Sequence, residues 1–291
     1  MSSSLSPTIW ANHCLEWGHH TYVMGIVNVT PDSFSGDGLV KDTWQDDALV
    51  QHAIEQAQRF VTEGATLIDV GGESTRPRFA PVSAEQELAR VIPVIHALKA
   101  TLPAEVIISI DTYKAEVATQ ALDAGASMIN DIWALRHDPD MAAVASGHGV
   151  PVVLMANMRG YQKREIVSDI TRYLAGCIDY ALAAGIAWEH IIIDPGIGFG
   201  TTPQENLTLL RRLGELRALG RPILLGTSRK ATIGLVLGGL PVSERLEGTA
   251  ASVALGIAQG ADIVRVHDVR EMMRVVKMSD AIVRGMFVLP E

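Results

Sequence analysis

Cysteine is nearly absent: the 291-residue chain has only Cys14 and Cys177. Their wide separation, without CxxC spacing, argues against a disulfide framework and against a thiolate metal site. An excess of positive charge is lacking too. With 24 Lys and Arg against 33 Asp and Glu the formal charge is −9, so no basic face for nucleic acid is expected. Any anionic ligand must then be met by local cations against an unfavourable overall field. No apolar run reaches membrane-spanning length without a charge or a glycine break, and the opening MSSSLSP has neither a basic segment nor a long apolar one. No membrane partner is expected, and a cytoplasmic location is the default. A Pro/Gly/Ser-rich linker or a shift in composition is missing as well, which favours one domain.

What the chain does have is a rhythm. With 48% hydrophobic residues it can bury a substantial core. Short Val- and Ile-rich runs end at Asn28, Asp69, Asp111, Asn130, Met155, Asp194, Gly226 and Arg265, and a helix-period segment follows each. Strands are expected near 21–28, 66–70, 106–111, 127–131, 150–155, 191–194, 222–226 and 262–266, each apolar at consecutive positions, as strands covered on both faces are. Helices are expected over Asp46 to Glu63, Ala84 to Thr101, Lys114 to Ala124 and Gln204 to Leu219, and Gly64, Gly125, Gly185, Gly220 and Gly260 recur just before the next strand as stops. Eight βα units predict an α/β fold, a closed (β/α)8 TIM barrel over residues 21–291, with an open doubly wound sheet as the alternative. Residues 1–20 form a short extension, in which the histidines and tryptophans around Gly18 suggest a hairpin plugging one barrel end. At the other terminus, Ile282 and Met286 to Leu289 form an apolar segment that could pack against a partner subunit.

A closed parallel barrel gathers its strand C-termini on one face, so scattered polar residues converge there. The candidate pocket holds Asp69, Asp111, Asp131 and Asp194, the amides Asn28, Asn130 and Asn157, and the cations Arg76, Lys230, Arg265 and His267. Any one of the acids could simply cap the next helix. Together they supply donors and acceptors suited to the edge of a flat nitrogen heterocycle, and the cations near strands seven, eight and one suit a phosphate or pyrophosphate. The glycines of Gly196-Ile197-Gly198-Phe199-Gly200 match a dinucleotide fingerprint poorly and instead suggest a tight loop offering Phe199 to a ligand. His13, His19 and His20 lack acidic partners nearby, which disfavours a metal role. Trp133 is expected in the core. The stretches Thr30 to Lys41, Ser74 to Ser83 and Arg159 to Ser168 are read as loops at the mouth.

The blocks GIVNVTPDSFSGDG (25–38), LIDVGGESTRP (67–77), ISIDTYKAEVA (108–118), INDIWA (129–134), IDPGIGFG (193–200), GTSRKATIG (226–234), ERLEGTAA (244–251) and RVHDV (265–269) resemble, in order, those of the dihydropteroate synthase family. That resemblance implies a TIM barrel that joins p-aminobenzoate to 6-hydroxymethyl-7,8-dihydropterin diphosphate, releasing pyrophosphate before the aniline attacks. It implies that Asp111, Asn130, Met155, Asp194, Phe199, Gly226, Lys230 and Arg265 bind the pterin. Asn28, Thr75, Arg76, Arg265 and His267 would hold pyrophosphate, with Asn28 reaching a Mg²⁺ ion. Phe34, Pro77, Phe199, Ser228 and Lys230 would surround p-aminobenzoate, which sulfonamides mimic, and Asp32 and Ser33 would join the first loop over the site. Asp111, Lys230, Arg265 and His267 are the implied catalytic groups, and a homodimer is the implied assembly.

Two departures stand out. The family usually shows His where this chain has Ala156-Asn157, and the Lys commonly following GFG is here Thr201. Two rival functions remain at this level: a pterin-binding module of the methyltransferase type, which needs no pyrophosphate site, and a catalytically silent homologue.

Overall fold

Strand β3 (Tyr22–Asn28) is buried along nearly its whole length, as its unbroken YVMGIV run requires, and seven more parallel strands join it. They are β4 (Leu67–Gly71), β5 (Ile107–Asp111), β6 (Met128–Asp131), β7 (Val152–Met155), β8 (Ile191–Asp194), β9 (Leu224–Leu225) and β10 (Ile263–Val266). The computed structural model describes residues 5–30, 47–73, 81–285 and 287. Neighbouring strands pair in chain order from β3 to β8, and β10 pairs with both β3 and β9. Closure comes between β8 and β9, where Ile193 and Ile223 form a parallel bridge and the Ile193 amide donates to the Pro222 carbonyl at 2.9 Å. The sheet is therefore a barrel rather than an open doubly wound sheet.

Helices α1 (Asp47–Thr62), α2 (Ala84–Thr101), α3 (Ala115–Asp123), α4 (Met141–His148), α5 (Ile166–Ala183), α6 (Pro203–Arg211), α7 (Ala231–Val236), α8 (Leu246–Ala258) and α9 (Val269–Val283) surround it. Local chemistry sets several starts. Ser83 and Gln86 form a reciprocal cap on α2, and Thr202 and Glu205 do the same for α6, with Pro203 in the first turn. The stops expected at Gly64, Gly125, Gly185, Gly220 and Gly260 all have positive φ, so the chain leaves each helix in the left-handed conformation glycine tolerates. The single helix expected over Gln204 to Leu219 is instead α6 followed by a 3₁₀ segment, Leu213–Leu219. Arg212 breaks it at φ −116°, ψ 19°, and a side chain at Gly214 would meet the Gln259 carbonyl at 3.2 Å.

The expected N-terminal hairpin is β1 (Thr8–Trp10) and β2 (His13–Leu15), turning at Ala11. Trp10 donates from Nε1 to the Ser127 carbonyl (2.7 Å) and Thr8 from Oγ1 to the Glu189 carbonyl (2.6 Å), residues that precede β6 and β8. Trp10, Leu15 and Trp17 are buried there, so the hairpin plugs the end of the barrel where the strands begin. His13 packs on Trp10 at 5.2 Å and His20 on Tyr22 at 4.3 Å. The other end is left for chemistry.

Candidate active site

Register explains which strand-end residues meet. Asn28, Gly71, Asp111 and Asn130 are successive Cα partners across β3 to β6, and Met155 pairs with Asp194 across β7 and β8. Side chains alternate along a strand, so inward Asn130 forces Asp131 outward. There Asp131 accepts the amides of Trp133 (2.8 Å) and Leu135 (2.7 Å), and it is a turn cap rather than a pocket residue. Ala134 and Leu135 follow at positive φ and drop Leu135 fully into the core; Trp133, expected in the core, is only half-buried beside His137.

The floor is a charged network. Asp69 Oδ2 accepts both Asn130 Nδ2 at 2.9 Å and Arg265 Nε at 2.6 Å, while Arg265 Nη2 donates to Asp111 Oδ2 at 2.7 Å. Burial pushes the Asp111 carboxyl up to about 7, with Arg265 working against that shift and Asp69 adding to it. Burial likewise raises Asp194 to about 6, opposed by the Gly196 amide, which Asp194 Oδ1 accepts at 2.7 Å, and by Lys230. Burial lowers the Lys230 ammonium to about 8, with Asp194 resisting. Burial also works against the charge of Arg265, but Asp69 and Asp111 outweigh it and hold that guanidinium above its ordinary value.

The rim is built from β9, β10 and their loops. Ser228 Oγ lies 3.1 Å from the His267 amide and 2.9 Å from His267 Nδ1. If Oγ accepts the amide and donates its own proton to Nδ1, the imidazole proton sits on Nε2. Arg229, at φ 58°, forks onto Asp268, with Nε at 2.9 Å from Oδ2. The ERLEGTAA block supports this turn from behind. Arg245 donates to the Arg229 carbonyl (3.0 Å) and Thr249 accepts the Arg229 amide (3.1 Å), while Ser252, just after the block, donates to Thr227 (2.8 Å). Arg229, Arg245 and Thr249 carried no role in the sequence reading, because their importance rests on contacts between blocks far apart in the chain.

Phe199 is half-buried between two cations, Lys230 Nζ 4.5 Å and Arg159 Cζ 5.0 Å from its ring centre. Lys230 also donates to the Ile197 carbonyl. The loop must be glycine-rich here, since a side chain at Gly196 (φ 69°) would lie 1.9 Å from the Ala156 carbonyl. Thr201 knits the loop to α6 through Gly198 N (3.0 Å) and Asn206 Oδ1 (2.6 Å). Lys163, from the charged segment after β7, bonds the Gly200 carbonyl and pairs with Glu205 at 2.7 Å, so that segment does reach the mouth. Asn157 is fully buried, with Oδ1 accepting the Arg159 amide at 3.3 Å.

The structure thus brings together Asn28, Asp111, Asn130, Met155, Asp194, Phe199, Gly226, Ser228, Lys230, Arg265 and His267 at the strand C-terminal end. Asp32, Ser33, Phe34, Thr75, Arg76 and Pro77 lie outside the described residues. Among the described residues no cluster of three His, Cys, Asp or Glu side chains is arranged to hold a metal ion.

The chain is similar to known proteins over most of its length. Residues 24–267 match the family model described as pterin binding enzyme. The chain is 49% identical over 268 residues to dihydropteroate synthase of Clostridium beijerinckii, covering 92% of this chain and 96% of that protein. A crystal structure of the Clostridium difficile dihydropteroate synthase in the presence of pteroic acid superposes with a TM-score of 0.86 at 48% identity, covering 93% of this chain and 99% of the other. The Xanthomonas albilineans dihydropteroate synthase with 4-aminobenzoic acid gives a TM-score of 0.87 at 39% identity, covering 96% and 98%. The chain belongs to the dihydropteroate synthase family of pterin-binding enzymes.

Proposed function

We propose that this chain condenses p-aminobenzoate with 6-hydroxymethyl-7,8-dihydropterin diphosphate, giving 7,8-dihydropteroate and pyrophosphate. The observation that carries the reading is the placement of Arg265, whose guanidinium contacts the Asp111 and Asp69 carboxylates of the floor while its neighbour His267 stands on the cationic rim. Floor and rim belong to one pocket. A pterin module without a pyrophosphate site would not need Ser228, His267, Arg229 and Asp268 packed into one unit, and no proposed contact residue within the described part is missing, which disfavours a silent homologue.

The reaction breaks the bond between the exocyclic carbon and the bridging oxygen, and forms a carbon–nitrogen bond in its place. Arg265 and His267 meet the negative charge that grows on the departing oxygen, and both are aimed by fixed partners before the substrate arrives. Ionised Asp111 supplies the opposite sign to the pterin cation. The neutral aniline is already nucleophilic, so its attack needs no strong base, and its proton leaves to water or pyrophosphate. Lys230 and Phe199 form one wall, suited to an aromatic acid whose carboxylate seeks a cation.

The donor set would suit Mg²⁺ only as a partial protein site. A side chain added at Gly71 would lie 3.7 Å from both Asn28 Oδ1 and Asp111 Oδ2, so hard oxygen donors converge there without forming a full protein cage. Asn28 would hold the ion, whose contribution is to neutralise phosphate charge. A homodimer is proposed from the apolar outer face of α8 and α9, where Leu255, Met278 and Ile282 are 64%, 63% and 72% exposed. Of the C-terminal segment expected at a partner surface, Met286 and residues 288–289 lie outside the described residues. No helix among the described residues is long and apolar enough to cross a membrane, and a cytoplasmic location is proposed with it. The test is incubation of purified protein with both substrates and Mg²⁺, following pyrophosphate and dihydropteroate together. Equal release of the two, dependent on both substrates, is expected; folded protein that releases neither would refute the assignment.

A further inference from the structure

Asp69 lies in the middle of β4, fully buried, two residues before the strand ends. Its Oδ2 takes two donors, Asn130 Nδ2 and Arg265 Nε, while its Oδ1 is buried without a hydrogen-bond partner among the described residues. The register partner Ser109, also fully buried, likewise has an unpartnered Oγ among the described residues. An unpaired polar atom in a barrel interior is costly, and apolar residues would fill the same space without that cost. A stabilising role is therefore a poor explanation for Asp69.

Its effect on Asn130 is a better one. An amide can present either its N–H₂ or its carbonyl to a ligand, and exchanging the two reverses what it recognises. A carboxylate that serves Arg265 offers only lone pairs, so the Asn130 N–H₂ must face Asp69. Asn130 Oδ1 then takes no hydrogen bond among the described residues and turns to the ligand side as an acceptor. We infer that Asp69 is a positioning and specificity-determining residue: it locks Asn130 as an acceptor for a heterocycle N–H and simultaneously aims Arg265 at the leaving group. The carboxyls of Asp111 and Asp194 can each bind a proton and present either role; Asn130, held this way, presents one. The inference rests on the pterin reading of the pocket.

An exchange of the two side chains tests it. Asp69→Asn alone keeps an acceptor toward Asn130 and Arg265 in only one orientation of the new amide and removes the negative charge that holds both donors, so affinity for the pterin diphosphate should fall about 10- to 100-fold in titration calorimetry, the range for a mismatched buried polar contact. Asn130→Asp alone opposes two carboxylates and should lose at least as much. When both substitutions are combined, the amide placed on β4 can turn its N–H₂ to the carboxylate placed on β6, whose other oxygen then keeps the acceptor on the ligand side, while Arg265 retains Asp111. The double variant should therefore bind better than either single one by about 10-fold or more, by the same estimate. A double variant no better than the singles, or Asp69→Asn that binds like wild type, would overturn the lock. Should a variant fail to fold, the side-chain N–H₂ resonances of wild-type Asn130 still decide: protection from exchange in the free protein, unchanged on adding pterin diphosphate, is expected, and rapid exchange contradicts it. Because the free-protein measurement needs no ligand, failure of the lock is separable from failure of wild-type protein to bind pterin at all.

Discussion

Arg265 Nη2 and Asp111 Oδ2 are 2.7 Å apart, although 154 residues separate them in the chain and two strands lie between β10 and β5 in the sheet. The contact crosses the barrel interior rather than running along its wall. It couples the group that would face the departing pyrophosphate to the carboxylate that would face the pterin.

That coupling sets a pH dependence. Asp111 loses its proton near 7, so the anion that stabilises a pterin cation appears as pH rises through that value. Lys230 loses its charge near 8, so the cationic wall is lost as pH rises further. The profile of kcat/KM should be a narrow bell with its maximum between these values, since kcat/KM reports the free enzyme. Asp111→Asn should remove the acid limb; a profile flat from about pH 6 to about pH 9 would dissociate both groups from catalysis.

Asp111 should also matter far more than the departures at the mouth. Asp111→Asn is expected to lower kcat by about 100-fold or more, the loss typical of a preorganised charge. Thr201→Lys breaks two loop hydrogen bonds outside the charged floor and should change kcat only a few-fold, of the order expected for modest surface hydrogen bonds. Steady-state kinetics on the two variants checks this, and equal effects would remove Asp111 from its role.

The plug at the opposite end should affect stability without touching chemistry. Trp10 is 5% exposed, and Trp10→Ala should destabilise by about 3–5 kcal/mol, as large-to-small core changes do. Denaturant melts measure the loss. The kcat of the remaining folded protein, at a temperature well below the melt, should stay at the wild-type value.

Sulfonamides, as mimics of p-aminobenzoate, should compete with it and bind more tightly once pyrophosphate is present. Calorimetric titration with and without pyrophosphate measures the difference. Affinity indifferent to pyrophosphate would mean that the two halves of the site assemble independently.

The barrel was legible because strands covered on both faces must be apolar at consecutive positions, and β3 to β8 are. Asn28, Asp111, Asn130 and Asp194 were legible because a polar residue that ends such a run has few other reasons to be there. Asp69 was harder to place: the apolar run pauses at it, yet β4 continues to Gly71. Counting every second residue back from Gly71 would have turned it inward. The same alternation separates Asn130 from Asp131, which composition alone treated alike. Arg229, Arg245 and Thr249 could not be read locally, since the SRK turn becomes rigid only when α8 and β10 pack against it. Trp133 yielded its expected place to Leu135 because two left-handed residues follow the Asp131 cap, a turn that no hydrophobic pattern announces.

The central claim is that Arg265 and His267 on one side and Asp111 on the other ionise the carbon–oxygen bond before the amine arrives. Positional isotope exchange tests it most directly, using pterin diphosphate with ¹⁸O in the bridging position, Mg²⁺ and enzyme, and no p-aminobenzoate. Scrambling of the label into the non-bridging oxygens of the adjacent phosphate is expected in the wild type and should be strongly reduced in Asp111→Asn. Full retention of the bridging label, in protein that turns over once p-aminobenzoate is added, would contradict departure before attack.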